Sequence, residues 1–250
     1  MTPLDMIIDH RRRRVAVIAV GLVLALLALV PTAGAASAET YLNEADPCPV
    51  PAPKADFDDR DKVLDVHKLT VDCAAALEIT LGKQSNGKLL YMPAADTRRD
   101  WMASFIVRTL EAAGYDLPSP SNQGFKDIAG NTHKDNINIL AEIGVTKGKT
   151  ATTYAPAADV DRDQMVSFLV RAAVWAYEGK GGPGFEAQEA FPFNDVDNGN
   201  VHRDNIHVAV EVLGLTEGTS ATKFSPNDDT RRDQMASFLI RLLDIIYLGS

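Results

Sequence analysis

Apolar residues fall on one helical face at three separate places in the chain. In the last, Met235, Phe238, Leu239, Leu242, Ile245 and Ile246 stand at i, i+3, i+4, i+7, i+10 and i+11, which predicts an α-helix buried along one side. Met165, Phe168, Leu169, Ala172 and Ala176 follow the same offsets. Met102, Phe105, Ile106 and Ala113 give a poorer stripe, broken by Thr109. The polar positions repeat as well, so that RDWMASFIVR from Arg99, RDQMVSFLVR from Arg162 and RDQMASFLIR from Arg232 are one signature written three times. Such self-similarity means one supersecondary unit used three times, and function is to be sought at equivalent positions or between units. Thr97 with Asp100, Thr230 with Asp233 and Asp161 with Gln164 are three apart, the spacing of a capping box at a helix start.

Each unit has a first half too. Phe125-x-Asp127, His133, Gly144-x-Thr-x-Gly148 and Tyr154-Ala-Pro156 recur as Phe193-x-Asp195, His202, Gly214-x-Thr-x-Gly218 and Phe224-Ser-Pro226. A worn copy runs through Phe57, Asp59, His67, Glu78, Gly82 and Tyr91-Met-Pro93. A shorter helix is expected from each histidine to Gly144 or Gly214, glycine being able to close a helix in the left-handed conformation. Glu78 at that place in the first unit is an anomaly. The aromatic-x-Pro element should be extended before its proline, which restricts the preceding residue. Each unit thus reads as helix, loop, helix. One pair cannot bury its apolar faces alone, so an all-α fold is expected, three helix-loop-helix repeats packed as a pseudo-threefold helical bundle with the long helices innermost. The repeats cover 55–117, 123–179 and 190–250, joined by a Pro/Ser stretch at 117–123 and a Gly-rich one at 179–184.

Residues 1–38 have a different character: Arg11 to Arg14 precede the apolar run Val15 to Val30, and small residues end at Ala36-Ser37-Ala38. This is the pattern of a cleaved secretory signal peptide, its apolar run short of the roughly 20 residues that span a bilayer. Residues 39–54 form a Pro-rich leader, and no membrane span is expected after cleavage. Losing residues 1–38 leaves 21 basic against 32 acidic side chains, a net charge of −11. That field repels nucleic acid, so an anionic partner has to be caught at local arginine sites. The two cysteines, Cys48 and Cys73, lie in the exported part, where a disulfide is the simple reading; it would close a loop of about 25 residues, worth roughly 3 kcal/mol. The other readings, a metal pair or a catalytic thiol, have no histidine at ligand spacing to support them.

The ordered elements of the units, His-x-Asp-Asn-Ile at the first helix and Arg-Asp-Gln-Met-Ala-Ser-Phe-Leu at the second, resemble S-layer homology (SLH) domains. The resemblance covers essentially the whole mature chain. It implies three tandem domains that grip cell-wall polysaccharide non-covalently in grooves between neighbours, a secreted, cell-surface location, and binding without catalysis or cofactor. Carried over position by position, the family's sugar-facing arginine is Arg99, Arg162 and Arg232. The chain departs from the family on both sides of it: the threonine place holds Arg98, Asp161 and Arg231, and the glutamate place holds Trp101, Gln164 and Gln234.

The arginine assignment also stands on the residues alone, because a guanidinium at a helix start, near free backbone N–H groups, suits a carboxylate or phosphate. The competing reading pairs these arginines with Asp59, Asp127 and Asp195 as structural ties, and one residue can do both. His67, His133 and His202 are read as bonding backbone at helix starts, and Arg108, Arg171 and Arg241 as paired or snorkelling. Trp101 and Trp175 could stack on sugars if exposed, Trp175 sitting beside the apolar stripe. The loop 194–200 is acidic but fails the calcium-loop template. No set of residues for hydrolysis is recognisable. The rival to wall binding is a protein-interaction scaffold that holds another exported protein.

Overall fold

The computed structural model describes residues 47–49, 51–178, 185 and 190–248; the expected signal peptide, residues 39–46 of the leader and the stretch 179–184 lie outside them. The described residues are mostly helical: α1 (Asp65–Ala76), α2 (Arg99–Ala112), α3 (Lys134–Glu142), α4 (Arg162–Glu178), α5 (Arg203–His207) and α6 (Arg232–Leu248). A 3-10 turn precedes α1 at Arg60–Lys62, and α5 runs into a π-helical turn at Val208–Val212, for which nothing in the surroundings supplies a cause. The all-α expectation misses a small antiparallel hairpin, β1 (Lys83–Ser85) with β2 (Lys88–Leu90). Its turn is Asn86-Gly87, both at positive φ, as a two-residue primed turn requires.

The apolar stripes are the core. Met102, Met165 and Met235 are wholly buried, and Phe105, Phe168 and Phe238 nearly so. The second helices α2, α4 and α6 pack on one another. The main partner of each first helix lies in another unit: α3 packs on α2, α5 on α4, and α1 on α6. Helix pairing is therefore between units, not within them, and the contact of α1 with α6 joins the first unit to the last.

Backbone hydrogen bonds just before the second helices close the same circle. Thr97 N–H donates to the Thr230 carbonyl (2.8 Å), Thr230 N–H to Val160 (3.1 Å), and Val160 N–H to Thr97 (2.9 Å). The first amides of each second helix are capped by the loop of the next unit. Arg99 and Asp100 donate to Ala158 and Pro156, Arg162 and Asp163 to Asp228 and Pro226, and Arg232 and Asp233 to Ala95 and Pro93. These contacts correct two expectations. Thr97 and Thr230 do not cap their helices, since their hydroxyls have no partner and only their backbone is used. Nor are the first helix-start N–H groups free for an anion, because carbonyls from the neighbouring unit already satisfy them.

The aromatic-x-Pro elements are not extended before the proline. Met92, Ala155 and Ser225 take φ of 58°, 60° and 58°, a strained region for residues with a side chain. Gly144 and Gly214 close their helices at positive φ as read from sequence, and Glu78 adopts the same conformation (φ 56°), which resolves the anomaly of the first unit. Cys48 and Cys73 are bridged, with Cα atoms 5.5 Å apart, and the bridge fastens the leader to α1. Among the described residues no helix is long and apolar enough to cross a membrane.

Candidate functional site

The carboxylates of Asp59, Asp127 and Asp195 explain the strained prolyl predecessors. Asp127 accepts the N–H groups of Tyr154 (2.9 Å) and Ala155 (2.7 Å), Asp195 those of Phe224 and Ser225 (both 2.8 Å), and Asp59 those of Tyr91 (2.7 Å) and Met92 (2.9 Å). Burial works against these charges, yet the paired backbone donors hold the Asp127 and Asp195 carboxyls below their ordinary pKa. Each clip fixes an aromatic residue whose ring is buried and whose carbonyl points at the signature arginine of the preceding unit.

That carbonyl accepts Nε of the arginine: Tyr154 from Arg99 (2.9 Å), Phe224 from Arg162 (3.0 Å) and Tyr91 from Arg232 (2.7 Å). The guanidinium carbon then lies over the same aromatic ring, at 4.7, 4.7 and 5.0 Å. Two tyrosines return the contact, Tyr154 Oη donating to the Arg99 carbonyl and Tyr91 Oη to that of Arg232. The arginines and aspartates therefore do not pair as ions. They meet through one aromatic residue, the aspartate on its N–H and the arginine on its C=O. Burial lowers all three guanidinium pKa values from so high a starting point that the charge persists at neutral pH.

Each arginine lines a groove built from all three units. Arg99 of unit one faces Gln164, Phe168 and Arg171 of unit two and His202 of unit three, around about 270 Å³. Arg162 of unit two faces Gln234, Phe238 and Arg241 of unit three and His67 of unit one, again about 270 Å³. Arg232 of unit three faces Trp101, Phe105 and Arg108 of unit one and His133 of unit two, around about 400 Å³. The sequence singles out the first arginine as a ligand contact and reads the other two groups as structural. Arg108, Arg171 and Arg241 are groove-lining, and the histidines bond across units instead of to backbone.

The histidine partner is the signature serine: Nδ1 of His133, His202 and His67 lies 2.7, 2.7 and 2.8 Å from Oγ of Ser104, Ser167 and Ser237. Ser104 and Ser167 also accept an amide hydrogen from Asn136 and Asn205. The serine hydroxyl can donate to Nδ1 or accept from it, and in either case it fixes the orientation of the ring at the groove wall. Burial, reinforced by neighbouring arginines and opposed by Asp100, Asp163 and Asp233, pushes the three imidazole pKa values down. The grooves thus combine permanent guanidinium charge with a neutral ring. The recurrence of Ser in all three signatures was the available signal, and periodicity masked it because the residue sits beside the apolar stripe.

One position breaks the pattern at an energetic cost. Arg98 and Arg231 bind the buried Asp100 and Asp233 at 2.7 Å, whereas unit two places Asp161 beside Asp163. Burial first, then Asp163 and Asp229, raise the Asp161 pKa. A carboxyl whose folded pKa is raised weakens the fold as pH climbs through that value, and does no harm below the ordinary aspartate pKa. Asp161→Asn is therefore expected to stabilise by up to about 1 kcal/mol at pH 7, a gain that vanishes in acid. Urea midpoints at pH 7 and pH 3 measure it.

Trp175 packs against Tyr115, ring centroids 5.7 Å apart, while Trp101 lines the Arg232 groove. Among the described residues no group of three or more His, Cys, Asp or Glu could hold a metal ion.

Residues 124–166, the second unit up to the start of α4, match the family described as the S-layer homology domain. The chain is similar to Exoglucanase XynX of Acetivibrio thermocellus, 30% identical over 125 residues, covering 49% of this chain and 10% of that protein. It is 26% identical over 156 residues to an S-layer protein of Bacillus thuringiensis subsp. finitimus, covering 62% and 18%. The surface-layer 125 kDa protein of Lysinibacillus sphaericus is 26% identical over 165 residues, covering 66% and 12%. The chain spans between about a tenth and a fifth of the length of these relatives. The domain match and the surface-layer relatives support a cell-surface role.

Proposed function

We propose that this chain anchors at the bacterial cell surface by holding an anionic cell-wall polysaccharide, without covalent attachment or catalysis. In this reading a cleaved signal peptide exports it, and three SLH repeats form a pseudo-threefold bundle. The observation that carries the reading is the grooves: each takes an arginine from one unit, a second arginine from the next and a histidine from the third, in a chain of net charge −9. Local positive clusters in an acidic protein attract an anion without making the whole surface sticky to polyanions. The relatives named for surface layers fit the same role, and Exoglucanase XynX is matched over only about a tenth of its length. Binding across three units also ties ligand affinity to the assembled fold.

The test is cosedimentation of the exported protein with purified wall sacculi, before and after secondary polymers are stripped. Retention lost on stripping is expected; failure to bind either preparation would sink wall anchoring and leave the protein-scaffold reading. Alanine is a poor probe of these arginines, because Arg99 and Arg232 are buried among aromatic rings and their loss would damage the fold. Arg99→Lys, Arg162→Lys and Arg232→Lys keep a charge and a stem while removing the planar fork. Combined, they are expected to weaken retention about a hundredfold with an unchanged circular-dichroism spectrum.

A further inference from the structure

The three grooves spend their arginines differently. Arg99 gives an outer nitrogen to Gln164 Oε1 (3.4 Å), and Arg162 gives one to the Glu217 carbonyl (3.2 Å). Arg232 has no such partner. Its Nε is on the Tyr91 carbonyl, and among the described residues its two terminal nitrogens make no hydrogen bond and no carboxylate lies within ion-pair distance. The residue is 5% exposed and lines the widest groove. Its terminal nitrogens are not among the buried atoms left without a partner, so they keep contact with the groove, where an anion can replace water.

One substitution within the repeat separates this groove from the Arg99 groove, whose arginine is held by Gln164. Where Gln164 and Gln234 stand in the other units, the first has Trp101, which cannot accept a hydrogen bond from the guanidinium and stacks beneath it instead. The Arg232 guanidinium carbon is 4.8 Å from the Trp101 ring, 5.0 Å from Tyr91 and 5.2 Å from Phe105. The Arg98 guanidinium carbon also lies over the Trp101 ring, at 5.1 Å. The rings fix the plane of the fork and leave its outer edge toward the groove. Arg98 and Arg108 line the same space, as does Lys83, exposed like the lysines of the Arg99 groove, and its acid, Asp100, is already held by Arg98 (2.7 Å) and Asn131 (2.9 Å).

The rival grooves are weaker on these grounds. The Arg162 groove includes Glu217 in its wall. The Arg99 groove owes its extra charge to Lys147 and Lys149, both exposed, which supply a field and no fixed geometry.

From this geometry we infer that the Arg232 groove is the principal anion seat, and that Trp101 is the residue that makes it so. It takes a sugar-borne carboxylate or phosphate, received by the terminal nitrogens of Arg232, with Arg108 and His133 lining the same groove. The inference rests on the groove-binding reading for the ligand class and on Arg232 and Trp101 for the location.

The chain has two tryptophans, so Trp175→Phe leaves Trp101 as the sole fluorescent reporter of this groove. That variant is titrated with D-galacturonate, inorganic phosphate and neutral D-galactose. A saturable change in Trp101 emission is expected with at least one anion below about 50 mM and none with galactose, the two anions showing which group the seat prefers. Adding Arg232→Lys should weaken the response about tenfold, whereas Arg99→Lys or Arg162→Lys should leave it within about twofold. No saturable response to either anion, or equal loss from all three lysine variants, would overturn the inference. In the sacculus assay Trp101→Gln should weaken retention about fivefold or more, by giving Arg232 the internal partner that Gln164 gives Arg99. Wild-type retention unaffected by Trp101→Gln sinks this inference alone. A Trp101 response without sacculus retention keeps the seat and sinks wall anchoring.

Discussion

Asp59→Ala is expected to destabilise the protein by about 3 kcal/mol and to lower its melting temperature by roughly 10 °C. Asp59 is buried, and its two oxygens accept the N–H groups of Tyr91 and Met92 at 2.7 and 2.9 Å. Removing the carboxylate leaves two amides without acceptors, in a place where Tyr91 is 2% exposed. It also releases Met92 from a left-handed conformation that this clip helps to enforce. The damage should reach the groove, because the Tyr91 carbonyl holds Arg232 and the Tyr91 hydroxyl holds the Arg232 backbone. Thermal unfolding followed by circular dichroism gives the comparison, with Asp58→Ala as the reference. Asp58 is exposed and accepts a single amide, from Leu89. Should the two substitutions cost the same, the clip is not what holds the aromatic-x-Pro element.

Reduction of the Cys48–Cys73 bridge is the second large effect. The bridge closes a separation of 25 residues, worth about 3 kcal/mol in the chain-entropy account. Its location adds a structural consequence. Cys73 is on α1, the helix that crosses from the first unit to pack on α6 of the third, where His67 and Thr70 reach Ser237 at 2.8 Å. Loosening α1 therefore opens the junction that joins the two ends of the described chain and takes His67 out of the Arg162 groove. Unfolding midpoints of the wild type should fall by roughly 10 °C on adding dithiothreitol. The Cys48→Ser/Cys73→Ser double variant should start at the lower value and ignore the reductant. A wild type equally stable with and without reductant would show that α1 is held by packing alone.

The helices that bury their stripes were legible from the positions of apolar residues. Met102, Phe105 and their equivalents mark a face, and the face is a local property of ten to fifteen residues. The repeat was equally legible, as were the leading arginines, because identical residues at fixed offsets need no knowledge of the fold. The roles of Asp59, Asp127 and Asp195 were not, although each recurs with its aromatic residue 32, 27 and 29 positions later. A carboxylate that far from the amide it binds leaves no periodic trace; joint recurrence of the Asp and the aromatic was the one available sign. The left-handed residues before proline were read the wrong way for a related reason. Local sterics favour an extended residue there, and a long-range clip together with the capping role of the proline carbonyl overrules them.

The sequence by itself determined one signature written three times, the buried faces of the helices that carry it, an arginine at the start of each of those helices, and two cysteines placed to bridge the leader to α1. These follow from spacing, propensity and composition, which act within a unit. Tertiary structure alone decided which unit each helix packs on, that the helix-start amides are capped by the next unit, and that arginine, serine and histidine from three units line each groove. It also decided that the grooves differ, since Trp101 and Gln164 occupy the same place in the repeat and only the position of the guanidinium beside them shows that one frees its arginine and the other occupies it. The physical reason is that helix periodicity is encoded along the chain, whereas the satisfaction of a buried charge depends on neighbours brought in from elsewhere.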